Sequence, residues 1–404
     1  MWGDRDLDEL STAGASGAEE AVRNAASLFV LFALGACADR ATGPAIPSGD
    51  PRAFVWALPA GFPMPRVPGD NPMSPARVEL GRRLFYDTRL SSTQSFACSE
   101  CHRQENAFAD ARNRPIGVTG EAHPRNSMGL SNVAYQPFLG WANPNTSALE
   151  KQALIPMFGD KPVELGLKGL ESELLARLRA VQLYRDLFVA SFPNDSAPIT
   201  LDHLTKALAS FERTFLTGDS PYDRFRRGDA SAISESAKRG AVLFGGDRLK
   251  CAQCHSGVLL TKDADFEGAP AGVFEFVNNG LYNIGGTGAY PADNAGLFEH
   301  TRAPADMGRF KVPTLRNIAL TYPYMHDGTV ATLDDAIDHY AAGGRAITVG
   351  PNSGDGSKNP YKSTLLTGFS LTGPERADLL AFLRTFTDSA FIRNPTLSNP
   401  WIPR

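Results

Sequence analysis

Two copies of the pentapeptide Cys-x-x-Cys-His constrain this chain more than any other feature of its sequence. They contain four of the five cysteines: Cys98, Cys101 and His102 form the first copy, and Cys251, Cys254 and His255 form the second. This spacing is typical of c-type heme attachment. Two thiols form thioethers to the vinyl groups on one porphyrin edge, and the adjacent imidazole then lies under the iron. With five cysteines and seven histidines in 404 residues, chance would produce one copy in about one chain in a thousand.

Other uses of paired cysteines fit less well. A zinc ribbon needs two such pairs about 15 to 20 residues apart, whereas Cys98 and Cys251 are roughly 150 residues apart. A thioredoxin-like redox site needs neither the trailing histidine nor a second copy. We therefore predict two covalently bound c-type hemes.

The charge balance excludes one class of partner. Lysine and arginine number 40 and aspartate and glutamate 44, which gives a formal net charge of −4. A chain without a basic surplus has little with which to neutralise phosphates, so we expect no nucleic-acid partner. The 42% hydrophobic content provides for a sizeable core.

The pattern around the two motifs predicts a mainly α fold. Similar segments, Leu80–Phe85 and Arg239–Phe244, precede the two motifs, and each is typical of a helix that leads into a heme loop. Thr332 and Thr372 are candidate N-caps. Further runs with helical spacing are 173–192, 201–216, 333–342 and 374–386, and glycine and proline mark long loops at 267–304 and 346–360. We expect two cytochrome-c-like domains, 51–225 and 226–404, each around one covalent heme.

The N-terminal region, 1–50, is interpreted as an export signal followed by a tether. Ala25–Cys37 is apolar but too short to span a bilayer, Arg23 precedes it, and Cys37 ends a lipobox-like sequence. We expect a periplasmic protein that is lipid-anchored through Cys37; a buried helix with a stray cysteine is the alternative. The acidic segment Met1–Ala21 does not suit a signal, so we hypothesise that translation begins at Val22. Peptides from Trp2 to Glu20 in the cellular protein would rule this out.

Two longer segments resemble the bacterial di-heme cytochrome c peroxidase and MauG family. They are Gly81–His102 (GRRLFYDTRLSSTQSFACSECH) and Val312–Ile337 (VPTLRNIALTYPYMHDGTVATLDDAI), and the resemblance extends over roughly 76–386. It implies an enzyme in which hydrogen peroxide reacts at the heme ligated by His102. The second heme would then be held by His255.

The resemblance also implies a calcium ion and an aromatic residue between the hemes. Asn126, with the carbonyl groups of Thr321 and Pro323, matches the family's calcium ligands, and oxygen donors of this kind suit Ca²⁺. Trp141 matches the family's tryptophan between the two hemes. Taken alone, Asn126 could be a turn residue and Trp141 an ordinary core or surface aromatic.

The family's distal pocket matches three further residues. Gln152 and Pro156 would line the pocket, and Glu164 would be the acid/base that moves a proton between the two peroxide oxygens. Without that resemblance, Glu164 is an ordinary surface carboxylate. The electron-accepting peroxidases carry a distal histidine, but His123 stands only three residues before Asn126, and that role does not transfer to it.

The sixth ligand of the second heme separates the subfamilies. Peroxidases use a methionine from the segment after the His-Asp-Gly turn, but no methionine follows Met325 in this chain. Tyr340 stands in a segment resembling the tyrosine-bearing segment of MauG, so we expect it to be the ligand; a buried core tyrosine is the alternative. An anionic tyrosine oxygen lowers the heme potential and favours higher oxidation states.

Residues 141–166 are most similar to the MbnH-type di-heme enzymes. The resemblance implies a periplasmic copper-binding partner, MbnP, in which a tryptophan is oxidised to kynurenine. We therefore expect an exported di-heme oxidase that uses peroxide to oxidise an aromatic residue of a partner protein. The alternatives are a cytochrome c peroxidase that takes electrons from a small cytochrome, and a non-catalytic electron carrier with two six-coordinate hemes.

Overall fold

The regular structure of the computed structural model is almost entirely helical within the residues it describes, 53–270 and 274–402. These residues contain four two-residue strands in two antiparallel pairs: β1 (Phe276–Val277) with β2 (Phe310–Lys311), and β3 (Ala346–Ile347) with β4 (Gly354–Asp355). They also contain eleven α-helices: α1 (Pro75–Phe85), α2 (Leu149–Gln152), α3 (Leu154–Phe158), α4 (Glu171–Ala180), α5 (Gln182–Ser191), α6 (Leu201–Glu212), α7 (Pro221–Arg226), α8 (Glu235–Gly245), α9 (Phe298–Thr301), α10 (Leu333–Ala341) and α11 (Gly373–Arg384). The predicted mainly α fold class is confirmed.

Two crossing pairs of helices repeat the same packing. Helix α1 packs against α6, and α8 packs against α11. A glycine lies at each crossing. A Cβ atom on Gly81 would lie 1.9 Å from the Ala207 carbonyl oxygen, and a Cβ atom on Gly240 would lie 2.1 Å from the Asp378 carbonyl oxygen. Only a residue without a side chain permits so close a backbone approach. Helices α1 and α8 each precede a Cys-x-x-Cys-His motif, as predicted.

Each pair contributes to its own hydrophobic cluster. The first cluster includes Phe85 of α1 and Phe211 of α6, and the second includes Phe244 of α8 and Phe382 of α11. Near the end of the chain, Phe391 packs into the first cluster rather than the second. The division at 225/226 into two domains stays a prediction.

The predicted helix starts at the two threonines are confirmed. The Thr332 hydroxyl accepts from the Asp335 N–H while the Asp335 carboxylate accepts from the Thr332 N–H, and Thr372 and Glu375 do the same. Such capping boxes satisfy N–H groups that would otherwise lack partners at a helix start. The predicted run 173–192 is interrupted, because Val181 adopts an extended conformation between α4 and α5.

The interpretations placed on the N-terminal region, including the lipid anchor at Cys37, fall outside the described residues. Among the residues that are described, none of the helices combines the length and apolar character needed to cross a membrane.

The repeated helix crossings lead to a stability prediction. Gly240→Ala forces α8 away from α11, so the free energy of unfolding should fall by about 1–3 kcal/mol. Gly373→Ala is the control: Gly373 also lies in a helix, but a Cβ there would meet nothing within 4 Å. Chemical denaturation of the two variants measures the difference. Equal stability of Gly240→Ala and the wild-type protein would contradict the proposed packing constraint.

Candidate di-heme active site

The first heme motif forms one tight turn that fixes its histidine. Cys98–Glu100 is a 3₁₀ turn, and the His102 N–H donates to the Cys98 carbonyl over 3.1 Å. The His102 Nδ1 lies 2.8 Å from the Phe108 carbonyl oxygen, so Nδ1 carries the proton and Nε2 keeps its lone pair. Burial lowers the pKa of His102. The imidazole is therefore neutral, as an iron ligand must be.

The second motif repeats this geometry. Cys251–Gln253 forms the turn, and the His255 N–H donates to the Cys251 carbonyl over 2.9 Å. The His255 Nδ1 lies 3.4 Å from the Leu260 carbonyl oxygen, and burial lowers the pKa of His255 to about 4. Burial likewise raises the pKa of Cys251 to about 12. Paired thiols beside a neutral imidazole are the donor set that a covalent c-type heme requires.

Each motif opens into a cavity, and together the two cavities contain every predicted site residue. The first, of about 410 Å³, is lined by Cys98, Cys101, His102, Gln152, Pro156 and Glu164. The second, of about 240 Å³, is lined by Cys251, Cys254, His255, Tyr340, Thr321 and Pro323. Trp141 and Asn126 line both cavities.

Trp141 forms part of the wall that the two cavities share. Its indole Nε1 donates to the Asn126 carbonyl oxygen over 2.8 Å. Its own carbonyl accepts from the Lys311 N–H over 2.8 Å, which ties it to strand β2. Two hydrogen bonds on different groups thus fix both the ring and the backbone of this residue.

The side chain of Asn126 leaves an oxygen available beside Trp141. Its amide nitrogen donates to the Arg112 carbonyl at 3.1 Å and the Asn113 carbonyl at 3.3 Å. The main-chain N–H of Asn126 donates to the His326 carbonyl over 2.9 Å. With the nitrogen engaged, the amide is oriented and its Oδ1 remains as an acceptor, an atom that suits a hard cation; Thr321 and Pro323 line the second cavity with Asn126.

The distal residues of the first cavity come from α2, α3 and the loop after them. Gln152 ends α2 and Pro156 lies in α3. The Leu165 N–H donates to the Pro156 carbonyl over 2.9 Å, which places the neighbouring Glu164 beside Pro156. Burial raises the pKa of Glu164 to about 7. A carboxyl group with such a pKa can both accept and release a proton near neutral pH.

Tyr340 lies in the second cavity with His255, on the face of α10 that also presents Leu333 and Ile337. Burial raises the pKa of Tyr340 to about 12, and the neighbouring Asn279 side chain partly offsets this rise. Met325 lines the same cavity. Its sulfur accepts from the Asn279 Nδ2 over 3.3 Å, so the second cavity contains two candidate axial ligands.

Among the cavity residues without a role assigned from the sequence, Met325, Lys311 and His123 carry groups that could take part in the chemistry. Met325 precedes the His-Asp-Gly turn and reaches the second cavity with a backbone φ of +69°. Lys311 lines both cavities, and its Nζ donates to the Gln136 side chain and the Phe138 carbonyl; burial lowers the pKa of Lys311 to about 7. His123 lies in the first cavity. Lys311 carried a sequence signal as the charged residue between the apolar Phe310 and Val312.

The chain belongs to the di-heme cytochrome c peroxidase and MauG family of enzymes. The family described as "Di-haem cytochrome c peroxidase" matches residues 75–231. The methylamine utilization protein MauG of Methylorubrum extorquens is 33% identical over 91% of this chain and 94% of its own length. The cytochrome-c peroxidase IdrP1 of Pseudomonas sp. (strain SCT) is 33% identical over 84% of this chain and 89% of its own. Membership and the two motifs imply two c-type hemes.

Solved structures agree with this assignment. The crystal structure of a MauG-like protein associated with microbial copper homeostasis is 46% identical, with a TM-score of 0.85, and covers 87% of this chain and all of that one. The diheme peroxidase BthA from Burkholderia thailandensis shares the fold at 20% identity and a TM-score of 0.61. The family resemblance predicted from the sequence is confirmed.

The two candidate ligands of the second cavity can be separated by spectroscopy. In the ferric holoprotein, Tyr340→Phe should change the low-spin EPR signal and optical spectrum of one heme, because removal of the phenol oxygen removes a ligand. Met325→Leu is the matched control and should leave that signal in place. A low-spin signal that is lost in Met325→Leu and unchanged in Tyr340→Phe would assign the site to methionine instead.

Proposed function

We propose that this enzyme uses hydrogen peroxide to oxidise an aromatic side chain of a partner protein. The observation that carries the proposal is the position of Trp141, which lines both cavities and is fixed by hydrogen bonds from its ring and to its carbonyl. An oxidisable ring in the common wall provides a route by which two oxidising equivalents can be shared. An enzyme that shares oxidising equivalents between two heme sites is suited to oxidising a substrate outside the peroxide pocket.

The first cavity would carry out the peroxide step. A heme held by Cys98, Cys101 and His102 would supply the iron site for peroxide and the electrons for O–O cleavage. Glu164 would take the proton from the oxygen nearer the iron and deliver it to the far oxygen, which leaves as water. Gln152 and Pro156 would confine the peroxide beside this carboxylate.

The second cavity would hold a heme between His255 and Tyr340. A phenolate ligand lowers heme potential and favours higher oxidation states. The raised pKa of the free Tyr340 phenol means that ligation must remove its proton. Met325 lines the same cavity, and its sulfur accepts a hydrogen bond from the Asn279 Nδ2.

We further propose that a calcium ion binds the Asn126 Oδ1 with the carbonyl oxygens of Thr321 and Pro323. The same Asn126 accepts the Trp141 indole N–H through its main-chain carbonyl. Calcium would therefore hold in place the residue that positions Trp141.

The copper-homeostasis association of the 46% identical protein supports a copper-binding, MbnP-like partner, with oxidation of a tryptophan to kynurenine as the reaction. Such a partner is consistent with export to the periplasm and with a lipid anchor at Cys37. The second candidate function is reduction of peroxide with electrons from a small cytochrome. Met325 favours it in that it brings a methionine sulfur into the second cavity, although it precedes the His-Asp-Gly turn and the peroxidases' methionine ligand follows it.

Replacement of Trp141 tests the sharing of oxidising equivalents. Trp141→Phe should still react with peroxide at the first heme but lose oxidation of the partner, because phenylalanine is much harder to oxidise than tryptophan. Trp56→Phe is the control, since Trp56 lines neither cavity. Stopped-flow absorbance follows the first step, and mass spectrometry of the partner follows the second. Unchanged partner oxidation in Trp141→Phe would contradict the proposal.

The pKa of Glu164 predicts how the peroxide reaction depends on pH. The carboxylate is the form that accepts a proton, so the rate should rise with pH to a plateau, with a midpoint near 7. Glu164→Gln should abolish this rise and slow the reaction by about 10²- to 10⁴-fold. Glu121→Gln is the control from the rim of the same cavity. A wild-type rate that falls as pH rises through 7 would contradict the assigned role.

A further inference from the structure

His123 and Glu164 face each other within the first cavity. The His123 Nε2 lies 3.8 Å from the Glu164 Oε1, and the two side chains are 28% and 32% exposed. This separation exceeds a hydrogen bond. Hydrogen bonds between catalytic side chains are often long before substrate binds, and they shorten in the reacting complex. The two residues are 41 positions apart in the sequence, so the fold rather than the local chain brings them together.

A short hairpin before His123 builds this pairing. Ile116 and Ala122 form an antiparallel bridge. The hairpin docks on the Glu164 segment through the Val118 N–H, which donates to the Glu164 carbonyl over 2.8 Å. The approach is so close that a Cβ on Gly117 would lie 1.9 Å from the Val163 carbonyl oxygen. The main chain therefore fixes the position of His123 relative to Glu164.

The hydrogen bonding of His123 determines which ring nitrogen carries the proton. The Arg125 N–H donates to the His123 Nδ1 over 3.0 Å, closer than the Arg125 carbonyl at 3.2 Å. The Arg125 N–H can donate to Nδ1 only in the tautomer that carries the ring proton on Nε2, and it is Nε2 that faces Glu164. Arg125 is itself anchored, because its Nε donates to the Asn294 Oδ1 over 2.9 Å.

We propose that His123 is a positioning residue for the peroxide step, in which its Nε2–H donates to one oxygen of the Glu164 carboxylate and leaves the other oxygen to face the substrate. This inference rests on the proposed role of Glu164. His123 neither gains nor loses its proton: the proton of the near peroxide oxygen goes to Glu164 and then to the far oxygen. Burial lowers the pKa of His123, consistent with a neutral donor.

Cyanide binding to the ferric holoprotein tests the inference without relying on turnover. Hydrogen cyanide must lose its proton to a base as the anion binds iron, so the association rate reports the carboxylate. His123→Leu should slow association about tenfold, the effect expected for loss of a hydrogen bond to a charged group. His123→Gln retains an N–H donor and should stay within about threefold of the wild-type rate. Combining His123→Leu with Glu164→Gln should be no slower than Glu164→Gln alone.

A second histidine provides a matched control. The His203 Nε2 lies 3.8 Å from the Asp195 Oδ2, the same separation, but His203 lines neither cavity. His203→Leu should bind cyanide at the wild-type rate. If His123→Leu fails to load heme, His123→Asn replaces it, because the asparagine oxygen can still accept from the Arg125 N–H but offers Glu164 no donor at the Nε2 position.

The outcomes separate this inference from the proposed function. Wild-type cyanide kinetics in His123→Leu, with slow binding in Glu164→Gln, would overturn the role of His123 and leave that of Glu164 standing. Equal slowing in His123→Leu and His123→Gln would also overturn it, because the donor would then be irrelevant. Absence of cyanide binding in the wild-type protein would refute the open peroxide site itself.

Discussion

The hydrogen bond from the Trp141 indole N–H to the Asn126 carbonyl, 2.8 Å long, joins the parts of this structure on which its chemistry depends. Asn126 lines both cavities and offers the amide oxygen of the proposed calcium site. Trp141 is tied in turn through its carbonyl to Lys311 of β2. One chain of contacts therefore connects the proposed calcium site at Asn126, the Trp141 ring between the two heme sites, and strand β2.

Around this wall, the fold places groups whose protonation suits their chemistry. Burial keeps His102 and His255 neutral as ligands. It raises the pKa of Glu164 to about 7, where a carboxyl can exchange protons, and it lowers that of Lys311 to about 7 in the shared wall. One cause, removal of charged groups from water, thus acts on acids and bases in opposite directions. The glycine crossings at Gly81 and Gly240 allow the helices that lead into the two heme motifs to pack closely on their partners.

What could be predicted from the sequence was governed by local rules. The heme motifs are set by covalent geometry, and Thr332 caps its helix because the capping box needs only four residues. The family resemblance then selected the cavity residues, which the structure brings together. Local rules could not predict that His123 faces Glu164, because this arrangement requires the Ile116–Ala122 hairpin to pack against Val163. Likewise, a positive φ directs Met325 into the second cavity, and no sequence pattern signals that turn.

We propose that oxidising equivalents from one peroxide are distributed over both heme sites through Trp141. Mössbauer spectroscopy of ⁵⁷Fe-enriched protein, frozen shortly after mixing with one equivalent of peroxide, tests it most directly because each iron is observed separately. If Trp141 shares the oxidising equivalents, the spectra of both irons should change together. A change confined to the His102-ligated heme, with the His255-ligated heme still in its resting ferric state, would contradict it.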